Sequence, residues 1–310
     1  MSVAEKVSAA PGQKALGKRP LASAITLASG IASGPAIEGR RSAFVVNRTG
    51  GQGKTLITQL LAAFLADQGR TIICVDKASG PDNRSKLGRS VHGVVEMGSG
   101  PELATALNDQ LGFVSHWDEF GGKLMESDTI VDVGANVIDS IVSWAKIADA
   151  TVTMTGQVAC DLVVPVVASP QSASDAVAII RTFASGEVLP LRSVTIVQNL
   201  WQGDFKAMEA NADFQTLGAF VNANPEMASI VVLPRAVGDW VRRAEEDSVS
   251  FATMAGWSVK DMSGQFDFNA FQATREMKFL RDFLTHARQA MALSGALSGA
   301  ATVRDRGAPR

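Results

Sequence analysis

The chain has no tyrosine, only two cysteines and only three histidines. Cys74 and Cys160 are too few for a disulfide framework or a cysteine-built zinc site. His92, His116 and His286 are widely separated, which argues against a histidine-rich metal centre. No run of ~18–20 continuously apolar residues occurs, so no transmembrane helix is expected. Neither sign of charge dominates: 29 Lys and Arg face 31 Asp and Glu, a formal net charge of −2. That balance excludes a globally basic nucleic-acid binder. What the chain does have is apolar material, 46% of its 310 residues, enough for a sizeable core and too much for a wholly disordered chain. Unpaired cysteines without an export signal point to a reducing cytoplasm.

The charge is unevenly placed. Residues 1–43 hold Lys6, Lys14, Lys18, Arg19, Arg40 and Arg41 against Glu5 and Glu38, a net of +4. Residues 293–310 hold Arg304, Arg306 and Arg310 against Asp305, a net of +2. The remainder is therefore at −8. The expected organisation is a flexible basic leader over 1–40, one nucleotide-binding domain over 41–292 and a flexible tail over 293–310. The basic ends are either solvated tails or contacts for an anionic partner such as DNA or a lipid surface.

From residue 42 onward, strand-like and helix-like segments alternate. Short apolar runs at 42–47, 71–76, 129–132, 162–168, 193–199 and 229–233 read as buried strands. Residues 54–68 read as a helix with Leu56, Leu60, Leu61, Phe64 and Leu65 on one face, closed by Gly69. Further helices are expected over 173–183, 237–246 and 269–292. The last is long and amphipathic, with Phe271, Met277, Leu280, Phe283 and Leu284 assigned to its apolar stripe, for packing on the sheet edge or for a partner. Residues 112–127 and 150–161 show no clear period. The alternation gives an α/β class: a mostly parallel sheet flanked by helices on both faces, with a long C-terminal helix.

The strongest chemical signal is Gly50-Gly51-Gln52-Gly53-Lys54-Thr55, placed between a strand and a helix. Glycines let backbone N–H groups turn inward around phosphate oxygens. The following helix N-terminus adds unpaired N–H groups and partial positive charge. Lys54 can set its ammonium among the β- and γ-phosphates, and the Thr55 hydroxyl can ligate Mg²⁺. The usual form of this loop has glycine six residues before the lysine; here that residue is Arg48, so the loop is a variant. Asp132 closes the strand over 129–132, where a carboxylate can hold Mg²⁺, often through water. Asp76 ends a neighbouring strand near the same phosphates. Ligands of open parallel sheets bind beyond the carboxyl ends of the strands, where these features converge.

Residues 47–55, Asn-Arg-Thr-Gly-Gly-Gln-Gly-Lys-Thr, resemble the variant phosphate loop of the ParA/MinD family of P-loop ATPases. Val75-Asp76, Ile130-Val-Asp132, the segment 164–170 and Val232-Leu-Pro-Arg235 are similar to that family's later segments, in order. The resemblance spans about residues 42–254. It implies ATP and Mg²⁺ binding, with Gly50, Gly51, Gln52, Gly53, Lys54 and Thr55 around the phosphates and Asn199 and Arg235 near the base. It places Lys54 and Asp76 in catalysis and Thr55 and Asp132 at the metal. It implies a homodimer with ATP between two chains, and control of association with DNA, membranes or protein cargo, as in partition.

Two positions depart from the family pattern. Thr49 stands where its signature lysine lies, and Ala78 where an acid helps position the attacking water; Asp82, four residues on, is either a substitute or, the favoured reading, a solvated loop acid. Losing a water-positioning group commonly costs ~10²-fold or more in rate. The expected function is an ATP-binding switch with slow or partner-stimulated hydrolysis, positioning or segregating DNA or a protein complex. The alternative is a non-hydrolysing structural or adaptor protein that uses nucleotide to set its assembly state. Arg242-Arg243 suggests either a DNA-facing patch or a solvated helix face.

Overall fold

The computed structural model describes residues 39–76, 84–101, 110–295 and 297. Seven strands form one sheet: β1 Arg40–Val45, β2 Thr71–Val75, β3 Val95–Met97, β4 Thr129–Val133, β5 Val158–Val166, β6 Leu191–Asn199 and β7 Ala228–Leu233. Their spatial order is β3-β2-β4-β1-β5-β6-β7, and every pairing is parallel. β5 is buried along its whole length, as the run Val-Ala-Cys-Asp-Leu-Val-Val-Pro-Val requires of a strand covered on both faces. Pro165 sits inside this central strand, and its carbonyl is taken by the Asn47 side chain.

Helices cover both faces. α1 (Lys54–Phe64) follows β1, and α2 (Lys86–Ser90) precedes β3. α3 (Gln110–Glu126), α4 (Ile138–Ile147) and α5 (Ala150–Met154) flank β4, while α6 (Pro170–Ala184) follows β5 and α7 (Ala212–Ala223) follows β6. After β7 come α8 (Trp240–Glu246), α9 (Phe251–Ala255), α10 (Val259–Phe266) and α11 (Ala270–Ala292). One core layer joins Phe44, Val131 and Leu162 of the sheet to α3, α4, α6 and α7. The other joins Ala43, Val45, Val163 and Val197 to α1 and α8–α11. Alternate strand residues thus serve opposite layers, the period-2 rule of a pleated sheet. Because α1 leaves β1 toward one layer and α6 leaves β5 toward the other, a crevice opens between the C-terminal ends of these neighbouring strands.

Several expectations are corrected. All of residues 112–127 but Ser127 lie in α3, where Phe113, Trp117, Phe120 and Leu124 are buried at helical spacing. Gly112, Gly121 and Gly122 mask that period in sequence; Gly121 is needed because a β-carbon there would come 2.8 Å from the Trp144 ring of α4. Residues 150–161 divide into α5 and the start of β5. β3, three residues long, was not anticipated. Phe271 does not belong to the apolar stripe of α11: it is 90% exposed, nine residues and half a rotation away from buried Leu280. Phe271 lies in the first turn, just after the capping residue Asn269, and the helix packs through Ala273, Met277, Leu280, Phe283, Ala287 and Met291. The basic leader and most of the basic tail lie outside the described residues. Among those described, no helix is long and apolar enough to cross a membrane.

Candidate functional site

The loop between β1 and α1 is fixed from below. Asn47 is fully buried; its amide donates to the Pro165 carbonyl at 2.7 Å. Gln52, 2% exposed, donates to the Gly50 carbonyl at 3.2 Å and accepts from the Ser172 hydroxyl of α6. The Gln52 carbonyl accepts from Asn199 Nδ2 at 3.1 Å, and Asn199 Oδ1 accepts from the Trp201 amide at 3.1 Å. Gly53 has φ of 90°, and a β-carbon there would collide with Asn199 Nδ2, so this position requires glycine twice over. Gly51 also takes a positive φ, 74°, while Gly50 has open space around it. The loop is therefore built before any ligand arrives, and its backbone is shaped by side chains beneath it.

Above this base stand the chemical groups. Thr55, in the first turn of α1, donates its hydroxyl to Asp132 Oδ2 at 2.9 Å. Asp132, at the C-terminal end of β4, is 6% exposed. Burial pushes its carboxyl up to about 6; the Thr55 hydroxyl and Lys54 pull it down, and Asp76 pushes it up. Lys54 Nζ donates to the Thr49 carbonyl at 3.0 Å, folded back over its own loop. Burial lowers the Lys54 pKa against the opposing pull of Asp132 and Asp76. A positive group and two carboxylates thus share one partly dry site, with the ammonium engaged by a neutral carbonyl.

The structure brings together Gly50, Gly51, Gln52, Gly53, Lys54, Thr55, Asp132 and Asn199. Asp76 is exposed at the end of β2, its carboxylate against Gly134, and acts on Lys54 and Asp132 through its field. Arg235 stands exposed beyond β7, three strands from β1, roughly 14 Å of sheet. Ala78 and Asp82 lie outside the described residues. Arg242 pairs with Glu246 at 2.7 Å and lies near Asp239, so its charge is spent along its own helix.

Sequence reasoning missed the acids beside the loop. Thr49 donates its hydroxyl to Asp175 of α6, which also accepts from Gln171 at 2.8 Å. Arg48 pairs with Asp139 of α4 at 2.6 Å. A signal existed: Ser169-Pro170 is a capping residue followed by a first-turn proline, and Ser169 accepts from the Ser172 amide. Starting α6 there, rather than at Ala173, places Ser172 and Asp175 in its first turns, beside the loop.

The donor set fits a hydrated divalent cation shared with a phosphate. A hydroxyl and a carboxylate are the hard oxygen ligands that Mg²⁺ takes alongside phosphate oxygens and water. Asp132 is short of counter-charge, since the Lys54 ammonium bonds elsewhere. Among the described residues, no group of three or more His, Cys, Asp or Glu side chains could hold a metal alone.

Three solved structures are among those similar to this chain. Cyanthece apo McdA is 12% identical, covering 76% of this chain and 99% of its own, at a TM-score of 0.38. The septum site-determining protein MinD complexed with Mg-ADP from Pyrococcus horikoshii OT3 is 14% identical, covering 84% and 99%, at 0.41. A ParA family ATPase from Chlorobium tepidum TLS is 13% identical, covering 80% and 98%, at 0.44. No family model and no curated protein matches the chain. At these identities and scores the likeness assigns nothing to the site, whose geometry stands by itself.

Proposed function

We propose that the chain is an ATP-binding switch of the ParA/MinD kind. ATP binds with Mg²⁺ over the Gly50–Thr55 loop, and the loaded chain pairs with a second copy. The paired state positions or segregates DNA or a protein complex, as in partition. The observation that supports this reading most is the Thr55 hydroxyl 2.9 Å from Asp132 at the start of a helix, beside Lys54. Thr55 and Asp132 would hold Mg²⁺, which would supply neutralisation of charge on the terminal phosphates. Lys54 must leave the Thr49 carbonyl to reach the phosphates, so binding exchanges a neutral partner for an anionic one in a partly dry site.

Hydrolysis to ADP and phosphate is slow in the isolated chain on this reading. Thr49 is held by Asp175 and Arg48 by Asp139, so the loop offers no free cation of its own beyond Lys54. The same pinning of Thr49 favours the second reading, a non-hydrolysing adaptor. Light scattering with and without Mg-ATP, together with turnover of the purified chain, tests both. Dimerisation with turnover well below one per second supports the switch. Dimerisation with no turnover, even with partners added, favours the adaptor. A rate of several per second alone contradicts both.

A further inference from the structure

The two carboxylates of the site lie to one side of the loop. Asp132 is on β4 and Asp76 follows β2, and both strands precede β1 in the order β2-β4-β1-β5-β6-β7. A polyphosphate whose metal-bearing end faces Asp132 must run its other end the opposite way, over the ends of β5, β6 and β7. On that side Asn199 joins the Gln52 carbonyl to the Trp201 amide. Trp201 lies in a single 3₁₀ turn, Leu200–Gln202, that leaves β6 directly beyond the loop. Its neighbour Leu200 packs into the core, while the Trp201 side chain is 48% exposed. Trp117, Trp144 and Trp240 are buried.

The exposure is not isolated. Val232, which pairs in register with Gln198, and Val237, just after β7, are also about half exposed. Exposed apolar side chains thus stand at the C-terminal ends of the adjacent strands β6 and β7, with Trp201 two residues after the Asn199 amide that fastens the phosphate loop. An exposed aromatic face just beyond Asn199 suits a flat heteroaromatic ring.

We propose that Trp201 is the base platform of the nucleotide site, its indole stacking on the base. This rests on the reading of the loop as a nucleotide site. Stacking tolerates every base, so Trp201 selects nucleotides over bare polyphosphates rather than ATP over GTP.

The test uses the full-length chain, by calorimetry and intrinsic fluorescence, with Mg-ATP, Mg-GTP and Mg-tripolyphosphate. Trp201→Ala weakens both nucleotides about 10- to 100-fold and leaves tripolyphosphate unchanged within about twofold. Trp201→Phe restores most of the loss. The wild-type fluorescence change on nucleotide addition is absent with tripolyphosphate and lost in Trp201→Ala. Circular dichroism and melting confirm that the surface variant folds. Unchanged nucleotide affinity in Trp201→Ala overturns the proposal while the loop reading stands. So does an equal loss for tripolyphosphate, which means Trp201 acts through Asn199 on the loop. Unchanged affinity with impaired pairing of copies assigns the patch to a second chain instead. If the wild type binds neither nucleotide nor tripolyphosphate, the loop reading itself fails and takes this proposal with it.

Discussion

Two aspartates are buried in this sheet, and they are treated in opposite ways. Asp161, in the first half of β5, is fully buried and meets Arg41 at 2.9 Å and Arg192 at 2.5 Å. The Ser193 hydroxyl donates to it at 2.6 Å, and both guanidiniums also donate to the Gly295 carbonyl beyond α11. Asp132, at the opposite end of β4, draws on the Thr55 and Thr58 hydroxyls and on the field of Lys54, which bonds elsewhere. The first carboxylate is fully compensated and ties the C-terminal segment to three strands. The second is left short of positive charge beside the Thr55 end of the glycine loop. The fold neutralises the buried acid at one end and does not at the other, which is the contrast expected of the proposed cation site.

Removing Asp161 is the largest expected effect. Asp161→Asn leaves two guanidiniums without their carboxylate and costs roughly 3–5 kcal/mol of stability, read by denaturant unfolding. A loss below about 1 kcal/mol would break the contrast, because Asp161 would then be no better compensated than Asp132.

Asp132→Asn has the opposite sign. The carboxyl sits at about 6 in the folded chain and at 3.8 without the fold. Below about pH 4 it is protonated in both states. Between about 4 and 6 the folded chain keeps a proton that the unfolded chain releases, so wild-type stability falls as pH rises. Above about 6 the loss is complete, about 3 kcal/mol for this group. The ligand-free Asp132→Asn variant therefore gains on the wild type as pH rises from 4 to 6, then holds that advantage. A variant equally or less stable at pH 7 contradicts the idea of an uncompensated acid.

The smallest effects separate the loop's glycines. Gly53→Ala places a side chain at φ of 90° against Asn199 and costs about 1–3 kcal/mol. Gly50→Ala, with open space and no positive φ, changes stability by less than about 0.5 kcal/mol. Equal effects in melting experiments would mean that Asn199 does not fasten the loop.

Much of this was legible in sequence, and the reasons are physical. β1, the glycine loop and α1 announce themselves because a strand period, a cluster of glycines and a helical stripe fall in one short stretch. Asp132 was legible because a strand that ends in an acid places that acid at the ligand edge of a parallel sheet. α3 was not, because Gly121 is there to admit Trp144, a tertiary contact that lowers local helix propensity. Asp139 and Asp175 were not, because nothing in a linear chain says which helix turns toward a loop more than eighty residues earlier. The link from Asn199 to Gln52 is of the same kind, 147 residues apart.

The most direct test of the central claim is calorimetric titration of the wild type and Lys54→Ala with Mg-ATP and with Mg-tripolyphosphate. The account predicts that the wild type binds both and that Lys54→Ala loses both by about 100-fold or more, since a partly buried ammonium facing phosphate is among the stronger charge-assisted contacts. Undiminished binding by Lys54→Ala, or no binding of either ligand by the wild type, would contradict it.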